Sequence, residues 1–400
     1  MRVVPIALAV LVVALVAAGC GRGSSDDKTT DVRTTPTTGA KGTETTAATD
    51  LGFPTFATKN TTRIGGADPI ADAAAAARAV YSGATRITRP KAVVLADDSD
   101  WRVGLAASVL MSSPIRAPLL YAHGTGDLPP ATQSALTALA PTGSKEAGGA
   151  QVIRVGDVPE IDGSKTTDLR GTGAFAIARA IDAFQAAARG TTSDRVIVVG
   201  ADAPEYAMPA AAWAAKAGDP ILFTRKDSVP ADTRAAIAAH QQPKIYVLGP
   251  PSAVSDKALT QLKKLGSVTR ISGADPAASS VAFARFVDGA FGWGVVDPGH
   301  GFVFANSARP ADAAAVAPLS ASGTYGPLLV STDAAKLPAA LTGYLLDVQP
   351  GYTRDPVRGV YNHGWIVGDE SAFAPGVQST IDSLLEIVPV NERGSASPTP

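Results

Sequence analysis

One cysteine, Cys20, stands in a chain of 400 residues, so no disulfide can close within it. Neither charge sign is in excess: 35 Lys and Arg face 36 Asp and Glu, a net charge of −1. Nucleic-acid binding needs a basic face, and this balance gives it no support. The four histidines, His123, His240, His300 and His363, fall far apart. None has the spacing of a metal-ligand pair, so they are expected to be solvated or structural and no metal is expected. There is no P-loop and no G-x-S-x-G elbow. Gly171-Thr172-Gly173-Ala174-Phe175-Ala176 fits a G-x-G-x-x-A dinucleotide pattern on paper, but it follows the short, polar Thr166 to Arg170. These are expected to be helix-start glycines, and no cofactor is expected. Long apolar runs are missing too, save Val3 to Ala18, which is shorter than the ~20 residues a membrane-spanning helix needs.

That run follows Met1-Arg2 and ends in small residues, the layout of a secretory signal. Val16-Ala17-Ala18-Gly19-Cys20 resembles the end of a bacterial lipoprotein signal, although Ala17 stands where Leu is commoner. The resemblance implies a signal over 1–20, lipid on Cys20, and a protein held to the outer face of the cell membrane. Residues 21–60 are rich in Thr, Ser and Gly and poor in large apolar side chains. Such a segment cannot offset its ordering entropy and is expected to be a tether with a reach of roughly 35 Å. Residues 391–400 are read as a tail.

What is abundant is apolar surface, 46% of residues with mean hydropathy +0.13, and it is arranged in a repeat. Asp219-Pro220-Ile221-Leu222-Phe223-Thr224 has an echo before it, Ala117-Pro118-Leu119-Leu120-Tyr121, and one after it, Gly326-Pro327-Leu328-Leu329-Val330. The three prolines are just over a hundred residues apart, the period of a small folded unit. The flanks keep the same order. Twenty to twenty-two residues upstream lie apolar runs ending at Ala96, Gly200 and Ala305. Ten or eleven residues downstream lie Leu128-Pro129, Val229-Pro230 and Leu337-Pro338.

In the second unit, Asp194 to Gly200, Pro220 to Thr224, Lys244 to Gly249 and Ser267 to Ile271 read as four short strands. Ala207 to Ala217, the segment opened by Pro230 and Ser252 to Leu265 read as helices between them. Strands apolar on both faces that alternate with helices imply a parallel sheet covered on both sides. The third unit is expected to close like the second, with Val377 to Leu385 as the helix and Glu386 to Val390 as the fourth strand. The first, only fifteen residues from Gly156 to Gly171, is expected to lack its closing helix. An insertion at 346–364 carries Tyr352, Arg354, Arg358, Tyr361 and His363 and is expected to be functional or contact-forming.

Arg270-Ile271-Ser272-Gly273-Ala274-Asp275 and Arg63-Ile64-Gly65-Gly66-Ala67-Asp68, with Ala311-Asp312-Ala313-Ala314-Ala315 and the three Pro-led strands, resemble the cell wall-binding repeat 2 family. Pro69 and Pro276 stand where the family has Arg, and the second copy, Asp168-Leu169-Arg170-Gly171, lacks the acidic residue. The resemblance covers about 62–390 and implies an α/β fold of three Rossmann-like or Toprim-like parallel-sheet repeats around a pseudo-threefold axis. The repeats are placed at 62–165, 166–266 and 267–390. It also implies non-covalent attachment to an anionic wall polymer.

An anionic partner needs cations, and the candidates are Arg225 with Lys226, Lys263 with Lys264, and Arg354 with Arg358, each small enough to be an ordinary solvated face. The densest acidic cluster is Asp97, Asp98 and Asp100, with Asp202 (beside Glu205) and Asn306 and Asp312 at the equivalent strand ends. Two roles stand open for it: a polar site at the carboxyl ends of strands, or caps for the following helices. Arg63 and Arg270 are expected to pair with Asp68 or Asp275. The function expected is a non-enzymatic cell-envelope lipoprotein whose partners are wall polymer and, through Cys20, the membrane. A solute-binding receptor lipoprotein of a transport system is the alternative.

Overall fold

The computed structural model describes residues 56–390, so the signal-like segment with Cys20, most of the tether and the tail lie outside the described residues. The chain starts with β1 (Phe56–Ala57) and β2 (Thr61–Ile64). The first unit then supplies β3 (Val93–Asp97), β4 (Leu119–Ala122), β5 (Val152–Val155) and β6 (Thr166–Leu169). The second supplies β7 (Arg195–Gly200), β8 (Ile221–Thr224), β9 (Lys244–Leu248) and β10 (Ser267–Ile271). The third supplies β11 (Gly301–Asn306), β12 (Leu328–Ser331), β13 (Gly351–Tyr352), β14 (His363–Val367) and β15 (Val388–Pro389).

Two sheets are parallel and built alike, in the orders β4-β3-β5-β6 and β8-β7-β9-β10. The third has the order β1-β2-β14-β11-β12, parallel except for the antiparallel β1–β2 pair. The Pro-led strands β4, β8 and β12 take the same place in each sheet, an edge beside the first strand. Pro118, Pro220 and Pro327 each precede their strand, and their carbonyls accept from Val94, Ile197 and Val303. A proline can lead an edge strand because no ladder donor is needed there.

β6 and β10 each complete the sheet of the unit before them, although they open the next repeat. The third sheet is where the expectation fails. Its fourth place is not taken by Glu386 to Val390: β15 pairs instead with β13 in the inserted segment. The place is filled by β2, in register Gly364 with Thr61 through Val367 with Ile64. The strand before the first repeat thus closes the sheet of the last, and the three units form a ring. Side chains of the helix Pro375–Leu384 and its C-terminal neighbour fasten this closure. Asn60 donates from its backbone N to Asp382 Oδ1 (2.7 Å) and from Nδ2 to Glu386 Oε2 (3.0 Å), and Lys59 pairs with Glu386.

One apolar core runs through all three units. At its centre, the helices Trp101–Ala107 with the turn Ser108–Met111, Pro209–Ala217, and Asp312–Ala315 with Ala317–Ala321 pack on one another. They are rich in alanine, and Ala210 to Ala212 and Ala313 to Ala315 are fully buried. Small side chains let three helices from three sheets approach closely without voids, which is why the Ala-rich segments sit here. Tyr121 spans the hub by donating to the Ala311 carbonyl at 2.9 Å. The first unit has no helix between β5 and β6, as the short spacing implied. Among the described residues no helix is long and apolar enough to cross a membrane.

Candidate functional site

The repeat-opening arginine sets the geometry at each strand end. Arg63, buried on β2, donates from Nη1 to the carbonyls of Gly368 (2.9 Å) and Asp369 (2.7 Å), from Nη2 to Phe373 O (2.7 Å), and from Nε to Gln378. Arg270 does the same for Gly249 O and Val254 O, both at 2.8 Å. Both are structural, but their main partners are loop carbonyls, with Asp256 a further contact of Arg270 at 3.4 Å, and not Asp68 or Asp275. Those two aspartates cap the helices Pro69–Val80 and Pro276–Arg285 by accepting from Ala71 N and Ala278 N. In the first sheet the polarity is exchanged: Asp168 stands where Arg63 and Arg270 stand. Its register partner Arg154 is buried and reaches Asp168 at 3.2 Å. Gly171 and Gly273 are the packing glycines at the next helix, where a Cβ would meet the backbone of Ala176 at 2.7 Å and Ala278 at 2.4 Å. The G-x-G-x-x-A stretch does follow a strand, β6, and helix packing accounts for its first glycine.

The strand-end acids divide by unit. Asp97 accepts from Ser99 and from Gly124 N, Asp98 faces the exposed His123 at 3.0 Å, and Asp100 caps the helix Trp101–Ala107 and pairs with Arg102. Hydrogen bonding to Asp98 raises the His123 pKa. Asp97, Asp98 and His123 bring three ligand atoms within 4.8 Å of one another, the one such grouping among the described residues. Both Asp97 oxygens are already engaged by the loop, accepting from Ser99 and from Gly124 N. Asp202 is exposed and the helix it precedes has no side-chain cap. In the third unit Asn306 is buried between Ala372 O and Ala308 N.

Asp312 belongs to a buried clasp that sequence reasoning missed. Arg309 reaches Asp72 on the helix Pro69–Val80 at 2.6 Å and Asp312 at 2.7 Å, joining the first unit to the third. Both carboxyls are almost fully buried. Burial, and then their mutual repulsion, pushes Asp72 well up; burial raises Asp312 to about 6 despite Arg309. One guanidinium thus serves two acids, and the pair tends to keep a proton. Asp72 Oδ1 also accepts from Gly66 N at 2.6 Å and lies over Gly65, where φ is +94° and a Cβ would come within 1.9 Å. Ser279 accepts the matching bond from Gly273 N in the third copy, at 2.9 Å. A sequence signal existed: an acid inside an alanine helix at the position where the sister copy has serine.

The six candidate cations, Arg225, Lys226, Lys263, Lys264, Arg354 and Arg358, are all exposed and are not drawn into one cluster by any common contact. Arg225 packs over Phe175 and Arg358 ends a short turn, Pro356–Arg358, in the insertion. Two of the cavities lie at and beside the seam where β2 meets β14, away from these cations. One of about 490 Å³ is lined by Thr62, Val80, Leu319, Thr324, His363 and Trp365. Beside it, sharing Ser322, a second of about 290 Å³ takes residues from all three units, among them Tyr81, Ser112, Arg116, Lys216 and Pro318.

Three parallel α/β sheets built on one plan and joined through a helical hub define a triple-repeat α/β protein. Residues 169–259, under a quarter of the chain, match the family model described as Cell wall binding domain 2 (CWB2), which agrees with the resemblance read from its repeats. Among curated proteins of Bacillus subtilis (strain 168), it is similar to an amidase enhancer, 32% identical over 143 residues, 36% of this chain and 19% of that protein. It is also similar to the N-acetylmuramoyl-L-alanine amidase LytC, 28% identical over 158 residues, 39% of this chain and 30% of that one. The chain spans well under half the length of either relative's matched protein. Two solved structures share the fold: Cwp6 from Clostridium difficile, TM-score 0.64, 19% identity, 82% of this chain and 48% of that one; and Cwp8 from Clostridium difficile, 0.61, 17%, 82% and 52%.

Proposed function

We propose that the protein is a non-enzymatic component of the cell envelope whose three α/β repeats hold it to an anionic polymer of the cell wall. The match of residues 169–259 to a cell wall binding domain, repeated as three sheets in one body, carries this reading. It supports a location outside the cytoplasm. Cys20 is proposed as the lipid attachment point, with the segment after it as tether. The described residues are used up by the three sheets and their cover, which fits a binding role better than a catalytic one. A solute receptor would be expected to fold as two lobes about a cleft, and the shared three-sheet core lends that alternative less support. The exposed cations Arg225, Lys226, Lys263, Lys264, Arg354 and Arg358 are proposed as secondary, salt-sensitive contacts to the polymer, each contributing little.

The test is sedimentation of the full-length protein with purified wall sacculi, and with sacculi stripped of anionic polymer. Sedimentation with the first and its loss with the second are expected. Equal failure with both would remove the wall-binding reading; equal success would move the ligand to the peptidoglycan itself.

A further inference from the structure

The three closing seams present the same cross-strand pair with one varying member. Thr62, Thr167 and Thr269 stand opposite Trp365, Ile153 and Tyr246. Ile153 is fully buried, and Tyr246 is buried under Phe291, stacked at 3.5 Å between ring centroids. Trp365 alone of the three is partly open, and it lines the 490 Å³ cavity. His363, edge-on to Trp365 with ring centroids 4.9 Å apart, lines the same cavity. Its Nε2 is buried and takes no hydrogen bond, an unusual state for a buried polar atom. An indole face ringed by hydroxyls and an unsatisfied imidazole nitrogen suits a sugar: the C–H face of a pyranose lies against the negative face of the ring, and its hydroxyls meet the polar rim.

The neighbouring cavity supplies charge. Lys216 lies over the Tyr325 ring, 3.1 Å from its centroid, and burial lowers its pKa. Neither Lys216 nor Arg116 forms an ion pair with any described carboxylate. The helices Pro209–Ala217 and Ala317–Ala321 end here, and their carbonyl ends attract cations with a partial charge of roughly half a unit each. Arg189, donating to Ala217 O at 2.9 Å, already serves one of them. Two full positive charges beside it remain without an acid.

We propose that an anionic glycan sits across the closing seam, with a sugar ring against Trp365 and its charged group, phosphate or carboxylate, at Lys216 and Arg116. The proposal rests on the wall-binding reading and names the seat and chemistry of its ligand. It ties binding to ring closure, since the cavity exists only where β2 has joined β14.

The full-length protein and the variants W365A, W365F and K216A/R116A would be compared in sacculus sedimentation. They would also be titrated by calorimetry with a phosphodiester-linked glycan, a uronic-acid glycan and a neutral glucan. W365A should weaken binding roughly tenfold or more, the scale of losing an aromatic anchor, and W365F should recover most of it. K216A/R116A should weaken binding by about tenfold at low salt and flatten its salt dependence, with an unchanged melting temperature. Whichever anionic glycan binds identifies the charged group. If the wild type sediments with sacculi while W365A and K216A/R116A bind as it does, the seat is wrong and wall binding stands. If the neutral glucan binds as well as both anionic ones, the anionic assignment is overturned. Failure of the wild type to sediment would remove the wall-binding reading itself.

Discussion

The second and third sheets each fill an equivalent fourth place, yet one receives its strand from its own stretch of chain and the other from the far end. β10 follows β9 after a single helix; β2 precedes its partner β14 by some three hundred residues. A strand arriving from nearby costs little loop-closure entropy, whereas one arriving from the opposite end can close only after the ring is built. The third seam is accordingly fastened more heavily. Arg63 is buried where Arg270 is partly open, Asn60 and Lys59 grip the helix Pro375–Leu384 and Glu386 beyond it, and the Asp72–Arg309–Asp312 clasp has no counterpart in the second seam.

The strongest way to break the comparison is to remove residues 58–64. The third sheet should lose an inner partner and roughly 5 kcal/mol or more of stability, because Ile64 and the Arg63 hydrogen bonds go together. Amide exchange would report it as lost protection over Gly364–Val367 ahead of Lys244–Leu248; equal loss in both strands would mean that the units do not differ.

Arg309→Met should come next, at about 3–5 kcal/mol at pH 7.5, since it leaves two carboxyls buried without their cation. Denaturant unfolding at pH 5 should find a smaller loss, as protonation relieves the repulsion.

Arg63→Ala should cost about 2–4 kcal/mol and Arg270→Ala about half as much, both by orphaning loop carbonyls. Equal midpoints in urea would show that burial of Arg63 adds nothing.

The smallest effect concerns pH. Asp312 has its pKa raised to about 6 by burial, above the ordinary 3.8, so the folded state binds the proton more tightly than the unfolded chain. Stability linked to this group is therefore full below about pH 4 and lost as pH rises through 6. Asp72, pushed up by burial and by Asp312, adds a slope of the same sign, so Asp72→Ser, which copies Ser279, should flatten the combined slope; an unchanged slope between pH 4 and 7 would place the proton elsewhere.

Much of this was legible in the order of residues. The Pro-led strands, the alternation with Ala-rich helices and the missing helix after Gly156 all follow from local apolar patterning. Asp100 as a helix cap was legible as one of two open roles. The ring closure was missed, although its signal was present: Arg63-Ile64 repeats Arg270-Ile271, which was read as a fourth strand, so Thr61 to Ile64 needed a sheet to complete. Glu386 to Val390 stood nearer in sequence and took the place instead. Asp72 was passed over because its partners, Arg309 and Asp312, lie far along the chain. Trp365 and Lys216 were likewise invisible as neighbours, since nothing in either segment points to the other.

By itself the sequence determined the local units: which stretches extend, which coil, and that one plan is used three times, because backbone preference and apolar period act over a few residues. Tertiary structure alone decided how the plan ends. Which strand fills the last sheet, which acids share an arginine, and which aromatic stays open at a seam depend on side chains that meet only after three units have packed on a common hub, and no short-range pattern records that meeting.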